Sequence, residues 1–149
     1  MTDQPTRGRG RPRRTEADAE IVEAARTLLR EGGYRALGLD EVARRAGTAK
    51  TSIYRRWPSK AALAAEIIRR EVPSPADVPD RESAERAFEE LMNGPFGGVV
   101  ASLIGEAQES DETRAIIVAL IEPYRRGFAS GETAGAILGS ILFRRLLGE

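Results

Sequence analysis

The sequence predicts an all-α protein, with an N-terminal three-helix helix-turn-helix head and a C-terminal helical body. Three observations carry that expectation. Apolar residues recur at helical spacing almost throughout, and no stretch sustains the period-2 alternation of a strand. Pro73, Pro75 and Pro79 crowd one short link that no helix can cross, which divides residues 15–72 from residues 73–149. Net charge is +0, yet residues 1–72 hold sixteen Lys or Arg against ten Asp or Glu, and residues 73–149 hold seven against thirteen. A basic half joined to an acidic half suits a polyanion-binding head on a body that does not bind one.

Composition removes several classes of chemistry. With no His and no Cys among 149 residues, disulfides, Cys or His metal sites and Cys or His catalysis are excluded. The N-terminus is polar and charged, unlike a signal peptide. The longest small and apolar run, Ala134 to Phe143, is about half the roughly 20 residues that span a bilayer. A soluble, cytoplasmic protein is expected, with no membrane partner and no cofactor. Carboxylate pairs such as Glu89-Glu90 and Asp111-Glu112 suit helix surfaces and helix starts, and Gly97-Gly98 lacks the strand and spacing of a phosphate loop. An enzyme is therefore not expected.

Residues 1–14 read as a disordered basic arm. Arg7-Gly8-Arg9-Gly10-Arg11-Pro12-Arg13-Arg14 has no apolar residue to bury. The first helix is expected from Thr15, as N-cap, with Ile21, Ala25, Leu28 and Leu29 on one face and Gly32-Gly33 as its stop. A short second helix over 40–46 begins with Asp40 and Glu41 and ends at Gly47. The third, over about 49–55, has Ile53 as its only aliphatic anchor. Lys50, Thr51, Ser52, Tyr54 and Arg55 can all donate hydrogen bonds, as a helix entering the major groove requires. Trp57-Pro58 breaks it, and Ser59 caps a fourth helix that closes the head with Leu63, Ile67 and Ile68.

The residues from Gly32 to Leu63 resemble the DNA-binding head of the tetracycline-repressor (TetR) family. The points of match are Gly33-Tyr34, Val42-Ala43, Ala46-Gly47, Ile53-Tyr54, Trp57, Ser59-Lys60 and Leu63. The resemblance implies that Tyr54 and Lys60 contact backbone phosphates, with Lys60 helped by free helix N–H groups. It implies base or phosphate contacts for Lys50, Thr51 and Ser52, further phosphate contacts for Arg55 and Arg56, and a packing role for Trp57. Gly38 and Ala49 stand where the family commonly has capping Thr or Ser. The glycine costs only a few tenths of a kcal/mol and the alanine about 1 kcal/mol. Thr48 is placed to take over from Ala49. In the arm, Arg9-Gly10-Arg11-Pro12 resembles the core of AT-hook peptides, whose arginines enter a narrow minor groove; a generic basic tail is the alternative.

In the body, Asp80 caps a helix reaching Asn93-Gly94, and Pro95 fits the first turn of another. Asp111 opens a third, interrupted near Glu122-Pro123, and the last runs from Thr133 to Leu147. That last helix is small or apolar nearly all round, and Gly135 and Gly139 permit close packing, so it is expected to form a homodimer interface. The family resemblance implies the same pairing, and a body that binds a small-molecule effector and then releases operator DNA. Candidate pocket residues are Phe88, Met92, Phe96, Tyr124, Phe128 and Phe143, with Glu106 and Gln108 as polar partners. The expected function is a sequence-specific homodimeric repressor binding double-stranded DNA at a palindromic operator. The body is shorter than is usual in the family, which leaves an architectural or constitutive DNA binder without an effector pocket as the alternative.

Overall fold

A computed structural model describes residues 12–74, 77–78, 80–125 and 134–147 of the chain. Eight helices and no strand occur among the described residues. Helix α1 (Pro12–Ala36) starts ahead of Thr15, because proline's fixed φ and missing N–H suit a first turn. Thr15 therefore lies within the helix and does not begin it. Helical geometry breaks at Gly32 and Gly33, where φ reaches −144° and 65°, and one further turn brings Tyr34 onto the head.

Helices α2 (Leu39–Arg45) and α3 (Lys50–Tyr54) form the expected pair, each within a residue or so of its sequence boundary. Gly47, at φ 60°, makes the turn between them with a backbone that an L side chain resists. The Thr48 N–H donates to Ala43 O at 3.0 Å and so ties the turn to α2. Neither helix has a side-chain cap, as Gly38 and Ala49 foretell, and Thr48 does not supply one. Ile53 alone anchors α3 in the core, at 0% exposure. Trp57, half-buried, packs against the same core just after it.

Helix α4 (Lys60–Glu71) is capped by Ser59, whose Oγ accepts from the Ala62 N–H at 3.2 Å. It buries Leu63, Ile67 and Ile68 and leads into the proline link. Helix α5 (Arg81–Asn93) opens on a reciprocal capping box. The Ser83 N–H donates to Asp80 Oδ1 at 2.8 Å and the Asp80 N–H donates to Ser83 Oγ at 3.4 Å. Helix α6 (Gly97–Glu106) starts two residues after Pro95, which sits in the turn before it. A Cβ at Gly97 would collide with the Met92 backbone, so the α5–α6 corner closes only with glycine there.

Helix α7 (Asp111–Arg125) runs through Pro123 and is not interrupted at Glu122-Pro123. The lost N–H falls one turn from the helix end, and that last turn is held from outside. The Tyr124 hydroxyl donates to Pro73 O at 2.6 Å. Helix α8 (Ala134–Leu147) packs on α5 and α7, and Arg144 donates to Glu89 Oε1 at 2.7 Å. One hydrophobic core unites these elements: α1 packs on α2, α4 and α6, and α4 packs on α7. Ile21, Leu37 and Leu63 in the head are thus continuous with Met92, Val99 and Leu103 in the body.

Candidate nucleic-acid interface

Helix α3 has five residues, and with Ile53 turned inward its other side chains face out. Lys50, Thr51, Tyr54 and Arg55 are exposed and Ser52 is half-buried. Tyr54 is 45% exposed, large for an aromatic side chain. Lys50 and Tyr54 are one turn apart, and the Lys50 ammonium lies 5.9 Å from the Tyr54 ring centroid. That ammonium is also held by α2, with Nζ at 2.7 Å from Asp40 Oδ1 and 2.9 Å from Oδ2. The hydrogen bond to Asp40 pushes the Lys50 pKa up. Lys50 is thus paired with Asp40 on the surface and lies over the Tyr54 ring.

The surrounding charges are also paired. On α2, Arg44 and Arg45 both donate to Glu41, which holds its carboxyl at about 2 against an ordinary 4.5. Arg45 reaches Glu31 of α1 at 2.9 Å. Arg56, read from sequence as a phosphate contact, is instead turned onto α1, with Nε 2.5 Å from Asp18 Oδ1. Its Nη1 donates to Ser52 O at 3.3 Å, so it braces the end of α3.

Lys60 begins α4, and its Nζ sits 4.3 Å from the Tyr34 ring centroid. Burial pushes its pKa down, opposed by the Glu106 carboxylate and reinforced by Arg35. Neither Asp40 nor Tyr34 figured among the sequence-derived site residues. In the sequence Asp40 stands only as a helix start, and Tyr34 only as a point of match to the family. Arg9 and Arg11 of the arm lie outside the described residues.

In the body, α4, α5, α6 and α7 border a small apolar cavity of about 40 Å³. Phe88 and Tyr124 line it in an edge-to-face pair with centroids 6.0 Å apart. Leu103, Ile104, Ile117 and Leu120 are among its other lining residues, and the wall carries no charged side chain. The Tyr124 phenol is directed to Pro73 O, and burial raises its pKa. Met92 and Phe96 lie in the packed core outside the cavity, Phe96 beneath the Arg30 guanidinium at 6.0 Å. Glu106 and Gln108 are not on the wall either, Phe143 is exposed on α8, and Phe128 lies outside the described residues. No cluster of three or more His, Cys, Asp or Glu fit for a metal occurs among the described residues. Among them, too, no helix is long and apolar enough to cross a membrane.

Residues 21–67, from the core of α1 to the middle of α4, match the family model of bacterial regulatory proteins, tetR family. Over that segment the chain is similar to the DNA-binding head of the TetR family. Relatives extend the likeness beyond that segment. The HTH-type transcriptional regulator YdeS of Bacillus subtilis (strain 168) is 31% identical over 127 residues, covering 80% of this chain and 61% of YdeS. The HTH-type transcriptional regulator Rv1556 of Mycobacterium tuberculosis (strain ATCC 25618 / H37Rv) is 46% identical over 46 residues, 31% of this chain and 23% of that protein. The crystal structure of the TetR family transcription regulator SCO0332 superposes with a TM-score of 0.53 at 28% identity, covering 89% of this chain and 73% of that one. The chain thus spans about three-fifths of YdeS. Within the TetR-like head, the matched segment contains α2, the Gly47 turn, α3 and Lys60.

Proposed function

We propose that this chain is a DNA-binding transcriptional regulator that works as a homodimeric repressor on a palindromic operator. The carrying observation is helix α3, anchored by Ile53 alone and presenting Lys50, Thr51, Tyr54 and Arg55 outward from a TetR-like head. In this reading Lys50, Thr51 and Ser52 meet base edges, while Tyr54, Arg55 and Lys60 meet phosphates. Residues 15–72 form the DNA-binding unit and residues 73–149 the regulatory and dimerisation unit. Arg9 and Arg11 add minor-groove contacts from the arm. Such work belongs to the cytoplasm and involves no catalysis.

Two features support the finer parts of the reading. Val118 on α7 and Phe143 and Leu147 on α8 are large apolar side chains exposed at 56%, 61% and 56%. Gly139 on the same helix has open space where a Cβ would stand, which leaves room for a close partner. Gly135 is four residues before it on α8. The apolar lining of the small cavity suits an uncharged hydrophobic effector that would widen it on entry, and Phe88 and Tyr124 are the side chains that would grip it. Selection from random duplexes tests the function: an enriched inverted repeat is expected, and enrichment of no repeat overturns the operator-specific reading.

A further inference from the structure

Both lysines of the chain lie over tyrosine rings, but they are held differently. The Lys50 ammonium is 5.9 Å from the Tyr54 centroid and is also paired with Asp40 Oδ1 at 2.7 Å. The Lys60 ammonium is 4.3 Å from the Tyr34 centroid, well within the roughly 6 Å reach of a cation on an aromatic face. It forms no ion pair among the described residues, so the ring is its direct contact. Tyr34 is in turn fixed by the fold. It follows Gly33, whose φ of 65° turns the chain at the break in α1. The Leu37 N–H donates to Tyr34 O at 3.2 Å, and the side chain, 8% exposed, belongs to the same core as Leu37 and Leu63. Burial pushes the phenol's pKa up, so the ring beneath Lys60 is uncharged at neutral pH.

A carboxylate and an aromatic face both orient an ammonium, with opposite consequences for a polyanion. The carboxylate cancels the charge, and a phosphate has to displace it. The ring carries no net charge, so the ammonium keeps its full charge while its position is set. An ammonium has three N–H donors, and the ring takes only the side that faces it, which leaves donors for phosphate oxygens. Lys60 is half-buried at the first position of α4, so its long side chain is ordered before DNA arrives. Rotamer freedom already lost in the free head is not lost again on binding. We infer that Tyr34 is a positioning residue for Lys60, holding its ammonium ready for a DNA backbone phosphate without neutralising it. The inference rests on the proposed function, in which Lys60 contacts that phosphate.

The test is a double-mutant cycle on the full chain with an operator taken from the selection above. Tyr34→Leu keeps an apolar side chain in the core and removes the electron-rich face, and is expected to weaken operator binding by about three- to tenfold. Tyr34→Phe keeps the face and is expected to bind within about twofold of the wild type. In a Lys60→Ala background, Tyr34→Leu is expected to have less than about half its effect on a logarithmic scale. An equal loss in both backgrounds would make Tyr34 a packing residue only, and overturns the inference; so does a loss in Tyr34→Phe as large as that in Tyr34→Leu. A second readout needs neither DNA nor a change at Tyr34, and decides the matter if Tyr34→Leu does not fold. Lysine occurs only at positions 50 and 60, so lysine-selective NMR of the wild-type chain yields two ε-signals, assigned with Lys60→Ala. Ring currents move protons above an aromatic face upfield and fade steeply with distance, so the Lys60 signal should lie upfield of the Lys50 signal. Coincident signals sink the idea, even where the operator is bound. If the wild-type chain binds no duplex while the Lys60 signal lies upfield, the proposed function has failed, and with it the phosphate role, and the contact between Tyr34 and Lys60 stands.

Discussion

Helix α3 and helix α8 are built on one plan and present different chemistry. Each rests on a single buried aliphatic among its described residues, Ile53 in α3 and Ile141 in α8, and each turns most of its other described side chains outward. What they present differs. Around Ile53 stand an ammonium, two hydroxyls and a phenol; around Ile141 stand Phe143, Leu147 and a bare Gly139. Water hydrogen-bonds the first set but not the second, so the proposed function gives α3 a polyanion and α8 a protein surface as partner. An outward-facing helix thus declares its partner by the chemistry around its anchor.

Removing an anchor breaks that parallel most severely. Ile53→Ala should cost about 2–5 kcal/mol, a large share of a small domain's stability, and should abolish operator binding. Denaturant titration with a retardation assay checks both, and a variant that still binds at wild-type strength refutes the single-anchor account of α3. The outward chemistry of α3 gives the next effect. Lys60→Ala should weaken binding to all sequences and lower the salt slope by about one, whereas changes at Thr51 or Ser52 should alter which sequence is selected.

On the other helix, Phe143→Asp should leave the isolated subunit's stability within about 0.5 kcal/mol while shifting sedimentation from dimer to monomer. A dimer that survives it relocates the interface. The smallest effect is a pH dependence in the scaffold beneath α3. Glu41 is at about 2 in the folded chain against an ordinary 4.5, so its pairing with Arg44 and Arg45 stabilises the fold above about pH 4.5. That contribution is lost as the pH falls through 2. Acid titration of the unfolding midpoint should show less slope in Glu41→Gln, and an identical profile would show these exposed ion pairs to be inert.

Local rules made much of the fold legible. Gly47 marked the turn, Ser59 and Asp80 marked helix starts through their own oxygen atoms, and the apolar spacing of α1 and α4 matched the buried faces found. Each of those features is decided within a few residues. Misreadings arose where a distant group decides. Pro123 looked like a break because its support, Pro73 O at the far end of a phenol, comes from another part of the chain. Arg56 looked like a surface cation until Asp18 claimed it. All four of Phe88, Tyr124, Met92 and Phe96 belong to the core, and only the arrangement of the helices decides that Phe88 and Tyr124 line the α4–α7 cavity. Lys60 was identifiable as a helix-start cation, but its stacking on Tyr34 has no signature in the spacing of either residue.

The single tryptophan has a practical consequence. Trp57 lies half-buried just beyond α3 and touches the core that head and body share. Its fluorescence is therefore a private reporter for the reading helix, whereas circular dichroism averages over all the helices. Because no seam in the core separates the two halves, the optical signals should melt at one temperature. Two separate melting temperatures would mean that the head comes loose while the body is still folded.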